Sequence, residues 1–327
     1  MLFITNRTLK QSKRTRIGRN IDFDLKDNLA GQSVFFCQRD GKEEYTEIGN
    51  QAFFKALREG PHKQILLYIH GYSNLPETHI FPTAAALQSM FDKKEKNLVQ
   101  VVPLIWPCDD DGKIVQDYWD DQQAADASAH AFSRVFEKFM AWRETGDDIS
   151  EKPCTKRVNV LAHSMGNRVF RGAIKAWGKY HRAYRLPLLF RNQFLMAADI
   201  INEALEGQDG GLIAECTRNI AVYFSADDMA LRASKAANLA NKVASRRLGH
   251  TGPENMNKVP QNVYAIDCDE VADVHDPSGL GHSYFLYDEG GAKGKKPGAV
   301  FEHMFEAIKT GRVPVEASGD KTLILKA

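Results

Sequence analysis

Apolar residues in this chain come in short unbroken runs, separated by longer stretches where they recur every three or four positions. The runs are Leu2 to Thr5, Ser33 to Cys37, Ile65 to Ile69, Leu98 to Ile105, Val158 to Leu161, Gln193 to Ala197, Asn219 to Phe224 and Asn262 to Ile266. Runs of this length and composition predict strands. One that is apolar throughout, such as ILLYI, predicts a strand covered on both faces. Pro103 lacks an N–H, so the end of the fourth strand cannot be fully paired. Between the runs, Ala124, Ala127, Ala131, Val135, Phe139 and Trp142 predict one face of a helix over 117–142. Met165, Val169, Ala173 and Trp177 predict the face of the next. A last helix is expected over Glu302 to Ile308, after Pro297-Gly298 and before Gly311. The alternation predicts an α/β fold, with a mostly parallel central sheet and helices on both faces. Ser245 to Pro260 and Cys268 to Pro297 are polar and rich in Gly, Asn, Asp or Pro, and read as surface loops. Residues 1–311 form one expected domain, and 312–327 a C-terminal tail.

The strongest chemical signal is VNVLAHSMGNRVF, residues 158–170. An apolar strand runs into Ala162-His163-Ser164-Met165-Gly166, and an amphipathic helix follows at once. This is the context of a nucleophile elbow, in which a serine sits on a tight, strained strand-to-helix turn. Residues two before and two after must be small because the backbones crowd there, and Ala162 and Gly166 are. The turn puts Ser164 at a helix N-terminus, where the Met165 N–H can meet a developing oxyanion. A second N–H is expected in the loop after the strand ILLYI, which reads His70-Gly71-Tyr72. Gly71 lets backbone approach closely, and Tyr72 is the expected donor. Gly71 and His163, which border the reacting centre, are candidate substrate contacts. His70 lies upstream of the serine, whereas this arrangement runs serine, acid, histidine, so it is read as structural.

An acid is expected just past a strand end, where α/β enzymes bind ligands. Asp199, Asp227 and Asp228 all qualify. For each, the plain alternative is a helix cap. Four histidines follow: His250, His275, His282 and His303. His303 lies in an expected helix, and His250 lies away from a strand end. Of the two after the last strand, His275 sits among acids. His282 sits in Gly281-His282-Ser283-Tyr284-Phe285, where glycine frees the loop and aromatics anchor it, and is the expected base.

Charge adds little to this picture. Lys plus Arg number 43 and Asp plus Glu 42, without the basic excess of a nucleic-acid binder. The densest basic run, Lys10 to Arg19, reads as a solvated loop or, alternatively, as a contact for an anionic partner. Five scattered cysteines show neither metal-ligand spacing nor a disulfide framework. No apolar run approaches the roughly 18 residues of a membrane helix. A cytoplasmic protein is expected, with no membrane partner. HExxH, Walker and GxGxxG patterns are missing, so no metal or cofactor is expected.

Taken together, FITNR at the start, HGY, Trp106-Pro107, AHSMGNR, AADI, YFSADDMALRAS and GHSYF resemble the bacterial α/β-hydrolase family DUF900. The resemblance implies hydrolase chemistry without naming a substrate. In its SxxDxAL pattern the acid falls on Asp228. The expected enzyme is a serine hydrolase with Ser164, Asp228 and His282 as triad. It would cleave a small-molecule carboxylic ester or thioester. About twenty residues separate the strand ending near Ala198 from the one starting at Asn219, and a crossover helix takes about a dozen. Little or no cap is therefore expected over the serine. The rival expectation is a non-catalytic binding module on the same fold.

Overall fold

The computed structural model describes residues 1–108, 114–145, 153–180, 185–240, 246–275, 280–287, 296–316 and 319–326. They form two compact units: Met1–Val158 with Arg168–Leu189, and Asn159–Asn167 with Phe190–Ala327.

The first unit holds strands β1 (Leu2–Thr5), β2 (Arg19–Ile21), β3 (Phe35–Gly41), β4 (Glu44–Glu47), β5 (Gln64–Ile69) and β6 (Val99–Ile105). Their spatial order is β5-β6-β1-β3-β4-β2. β5, β6 and β1 run parallel, whereas β1, β3, β4 and β2 pair antiparallel in that order. β2 and β4 carry too few apolar residues to read as runs. Pro103 faces Tyr68 of β5, and β6 pairs with β1 only beyond it, at Leu104 and Ile105. The missing N–H thus limits the pairing where expected.

Helices α1 (Gly49–Glu59), α2 (Phe81–Lys94) and α3 (Ile114–Thr145) belong to the same unit. The buried face of α3 differs from the expected one by a small rotation. Ala127 is exposed, and Ala125 and Ser128 are buried instead. The Ser128 hydroxyl explains this, because it accepts from Asn6 Nδ2 at 2.9 Å. Farther along, Phe139 and Trp142 of α3 pack on Phe54 of α1 with ring centroids 5.0 and 5.4 Å away. Burying each such aromatic contributes about 2–3 kcal/mol.

The second unit is parallel in the pairings of β8 (Phe190–Met196), β9 (Thr217–Phe224), β10 (Val263–Asp267) and β11 (Thr322–Ile324). β7 (Arg157–His163) lies beside β8. In the C-terminal tail, β11 adds itself to β10, a three-residue strand too short and exposed to stand out in the sequence. A ladder of buried amides crosses three strands: Asn192 Nδ2 donates to Asn159 Oδ1 and Asn219 Nδ2 to Asn192 Oδ1, both at 2.8 Å. The buried polar side chains thereby satisfy one another, as they must away from water.

α4 (Gly166–Tyr180) follows β7 directly, and Met165, Val169, Ala173 and Trp177 are all buried as the spacing predicts. Between β8 and β9 stands one short helix, α5 (Gly207–Glu215). α6 (Met229–Ala240) follows β9. Two segments expected to be loops contain helices, α7 (Leu248–Thr251) and α8 (Asp269–His275). Both are short and polar, with too few apolar positions to show a period. α9 (Ala299–Thr310) runs from Gly298 to Gly311, whose φ of 72° ends it, as its flanking glycines predict.

The Arg247–Gly249 segment lies against the end of β8. Leu248 N–H donates to Ile200 O at 2.8 Å and Gly249 N–H to Ala198 O at 2.9 Å. A Cβ at Gly249 would collide with the backbone of Ala197 and Ala198. Gly249→Ala is therefore expected to lower the unfolding free energy in a denaturant titration by about 3 kcal/mol.

Candidate active site

β7 ends at His163 and α4 begins at Gly166, so Ser164 and Met165 alone turn the chain from strand to helix. Ser164 takes the left-handed backbone conformation, with φ 51°. For a residue with a Cβ this costs on the order of 1–3 kcal/mol and persists only where neighbours enforce it. The enforcement is visible. Ser164 N–H donates to Met196 O at 3.0 Å, and its carbonyl accepts from Asn167 and Asp199 N–H at 3.1 and 3.2 Å. The Asn167 side-chain amide donates to Ala162 O at 2.8 Å and to Ser164 O at 3.0 Å. Ala162 and Gly166 flank the turn as its crowding requires. Among the described residues, the Met165 N–H has no hydrogen-bond acceptor.

Asp228 lies four residues past the end of β9, and His282 lies in the loop that follows α8. Their side chains meet: His282 Nδ1 is 2.7 Å from Asp228 Oδ2. A carboxylate only accepts, so Nδ1 carries the proton and Nε2 is left as the acceptor of the neutral ring. The other carboxylate oxygen of Asp228 accepts from Leu231 N–H at 2.8 Å, within the first turn of α6. Asp228 thus holds the His282 ring and caps a helix at once.

The His282 loop is fastened at several points. Gly281 takes φ 62°. Met229 N–H donates to Leu280 O at 2.9 Å. His163 Nε2 lies 3.1 Å from the carbonyl oxygen of His282. The His163 ring packs between His282 and Phe285, with centroids 4.8 and 5.0 Å away. Tyr284 is fully buried and donates its hydroxyl proton to Tyr223 O at 3.3 Å. Thus His163, a candidate substrate contact in the sequence, touches the loop that carries the histidine and adjoins Ser164 in the chain.

Residues 46–289 match the family described as alpha/beta hydrolase of unknown function (DUF900). The chain belongs to this family. No curated protein matches it significantly.

The other candidates of this α/β hydrolase are committed elsewhere. Asp227 is half-exposed and pairs with Arg232 at 3.5 Å. Asp199 is buried, accepts from the Ser234 hydroxyl at 2.6 Å and faces Arg247 Nε at 3.2 Å. His303 lies 2.7 Å from the Tyr223 hydroxyl and 3.0 Å from Pro314 O, and burial lowers its pKa. His250 Nε2 faces Arg232 Nε at 3.5 Å. The side chain of His275 lies outside the described residues. Gly71 and Tyr72 belong to the first unit, just past β5, where the Tyr72 carbonyl accepts from Asn74 Nδ2 at 2.9 Å. Asn167 and the Asp199–Arg247–Ser234 cluster had no assigned role in the sequence. Asn167 lies within AHSMGNR, so the signal was present, but its bonds reach Met196 and depend on the folded sheet.

His70 is fully buried in the first unit. Its Nδ1 lies 2.8 Å from Gly71 O, and its Nε2 accepts from Trp106 N–H at 3.2 Å. The ring stacks on Trp106 at 5.1 Å. Burial pushes its pKa down to about 3, so the folded protein holds the neutral ring. The unfolded chain protonates it near pH 6.5. The resulting stability is complete above pH 6.5 and is lost as pH falls from there toward 3, by at most about 1.4 kcal/mol per pH unit. Unfolding measured from pH 7 to 4 should show a shallower loss in His70→Gln than in the wild type.

Proposed function

We propose that this α/β hydrolase is a serine hydrolase that cleaves a carboxylic ester, or a thioester, through an acyl-enzyme. The observation that carries the reading is the 2.7 Å contact of His282 Nδ1 with buried Asp228, on a loop fastened to the residue before Ser164. His282 Nε2 takes the proton from Ser164 as its Oγ attacks the substrate carbonyl. Asp228 holds the tautomer and stabilises the imidazolium. The Met165 N–H, without an acceptor of its own, donates to the oxyanion. The leaving alcohol or thiol takes the proton from His282. Water, deprotonated by the same nitrogen, then releases the acid.

Five buried free thiols support a reducing, cytoplasmic setting. No helix among the described residues is long and apolar enough to cross a membrane. The nine-residue α5 is the one helix in the connection where a helical cap would be inserted, which supports a short, soluble acyl substrate.

Ser164→Ala should abolish covalent labelling by a fluorophosphonate probe while circular dichroism stays unchanged. Full labelling of that variant would exclude Ser164 as nucleophile, and an unlabelled wild type would favour a binding module. Asp228→Asn retains an oxygen to cap α6 but offers His282 a wrong tautomer. Its kcat should fall roughly 10⁴-fold with little loss of stability, whereas Asp227→Asn should stay near wild type. A panel of p-nitrophenyl esters should show acetate and butyrate hydrolysed best. A jump in rate above the solubility limit of a long-chain ester would contradict the open site.

A further inference from the structure

The basic run Lys10 to Arg19 takes no part in the site above, and its structure is more than a solvated loop. Its residues line an open cavity of about 530 Å³, among them Arg14, Arg16, Arg19, Gln11, Ser12 and Thr15, with no carboxylate in its lining. Arg19 is the fixed member. Its Nε donates to Glu47 Oε2 at 2.8 Å, and its guanidinium lies 5.8 Å over the ring of Phe35. The other oxygen of Glu47 is occupied by the backbone N–H of Arg16 at 3.0 Å. One buried carboxylate, each of whose oxygens already accepts a bond, is therefore set against three cations.

The remaining donors are unmet. Arg19 Nη2 is buried with no hydrogen-bond partner. The guanidinium groups of Arg14 and Arg16 are exposed and have no ion pair among the described residues. The loop that carries them is held in shape. Gln11 exchanges two hydrogen bonds with Asp22, at 3.0 and 2.9 Å. Arg14 N–H donates to Ser12 Oγ at 3.2 Å, and Gly18 N–H donates to Glu47 O at 2.7 Å. Planar guanidinium forks lining one cavity with two hydroxyl-bearing residues match the oxygens of a tetrahedral dianion better than a single carboxylate.

We propose that this cavity binds a phosphate group, on a soluble phosphate ester or on a phospholipid headgroup, apart from the hydrolytic site. The test titrates the full-length protein with inorganic phosphate in a calorimeter at constant ionic strength, with chloride as the reference anion. Saturable binding that weakens as salt rises is expected, and Arg14→Gln/Arg16→Gln should weaken it by about tenfold or more. Both side chains are exposed, so the variant should keep its circular dichroism and its fluorophosphonate labelling. Sedimentation with vesicles of phosphatidylcholine, with and without phosphatidic acid, separates the two sources. Attachment that requires phosphatidic acid and both arginines assigns a headgroup. Phosphate binding without attachment assigns a soluble ester. Phosphate no better bound than chloride, or bound equally by the double variant, would overturn the proposal.

Discussion

The second unit is organised around one backbone angle. Ser164 must turn left-handed so that a strand can pass into a helix within two residues, and that conformation is unfavourable for any residue with a Cβ. Much of what surrounds it serves to hold it. Met196 and Asp199 bind its backbone from the end of β8, and Asn167 reaches back from α4 to carbonyls on both strands. Ala197, at the end of β8, is itself left-handed, with φ 44°. Gly249 then fits against Ala197 and Ala198 where no side chain could. The crowding that demands small residues at 162 and 166 thus extends to a position eighty-odd residues farther along the chain.

The same economy of position governs the acid. A buried carboxylate is costly to desolvate unless its oxygens are engaged. Asp228 has one oxygen on the first turn of α6 and the other on His282. The helix cap keeps the carboxylate in place whether or not the histidine is charged. His282 in turn depends on its loop. The bonds at Leu280 and at its own carbonyl, with buried Tyr284 and Phe285, leave the ring little freedom. Asp199 shows the contrast: it has the same chemistry and lies closer in sequence to Ser164, but Arg247 and Ser234 engage it.

Phosphate binding in the first unit would rest on a different principle from the hydrolysis proposed for the second. At the elbow, the backbone N–H and carbonyl of Ser164 are both engaged by the protein. In the basic loop, the donors outnumber their acceptors, and the single buried carboxylate already accepts from Arg19 and a backbone N–H. Unmet donors on a braced loop would attract an anion; met donors around Ser164 hold its left-handed backbone.

The parallel strands, α4 and α9 were legible in the sequence because their apolar periods are strong and their ends are marked by glycine. So was the strand-to-helix turn at Ser164, since the strand, the small neighbours and the helix all lie within a dozen residues. Weaker elements were not legible: β2, β4 and β11 are short and mostly polar, and their pairing depends on partners brought by the fold. The buried face of α3 shifted from Ala127 to Ser128 because Asn6, over a hundred residues away, supplied a hydrogen bond. The choice among Asp199, Asp227 and Asp228 was open to strand-end reasoning and was narrowed to Asp228 only by resemblance. The sequence by itself determined which residue types could do the chemistry, because local sterics and periodicity act over a few residues. Only the tertiary structure decided which carboxylate meets His282, because that depends on where distant loops are fastened.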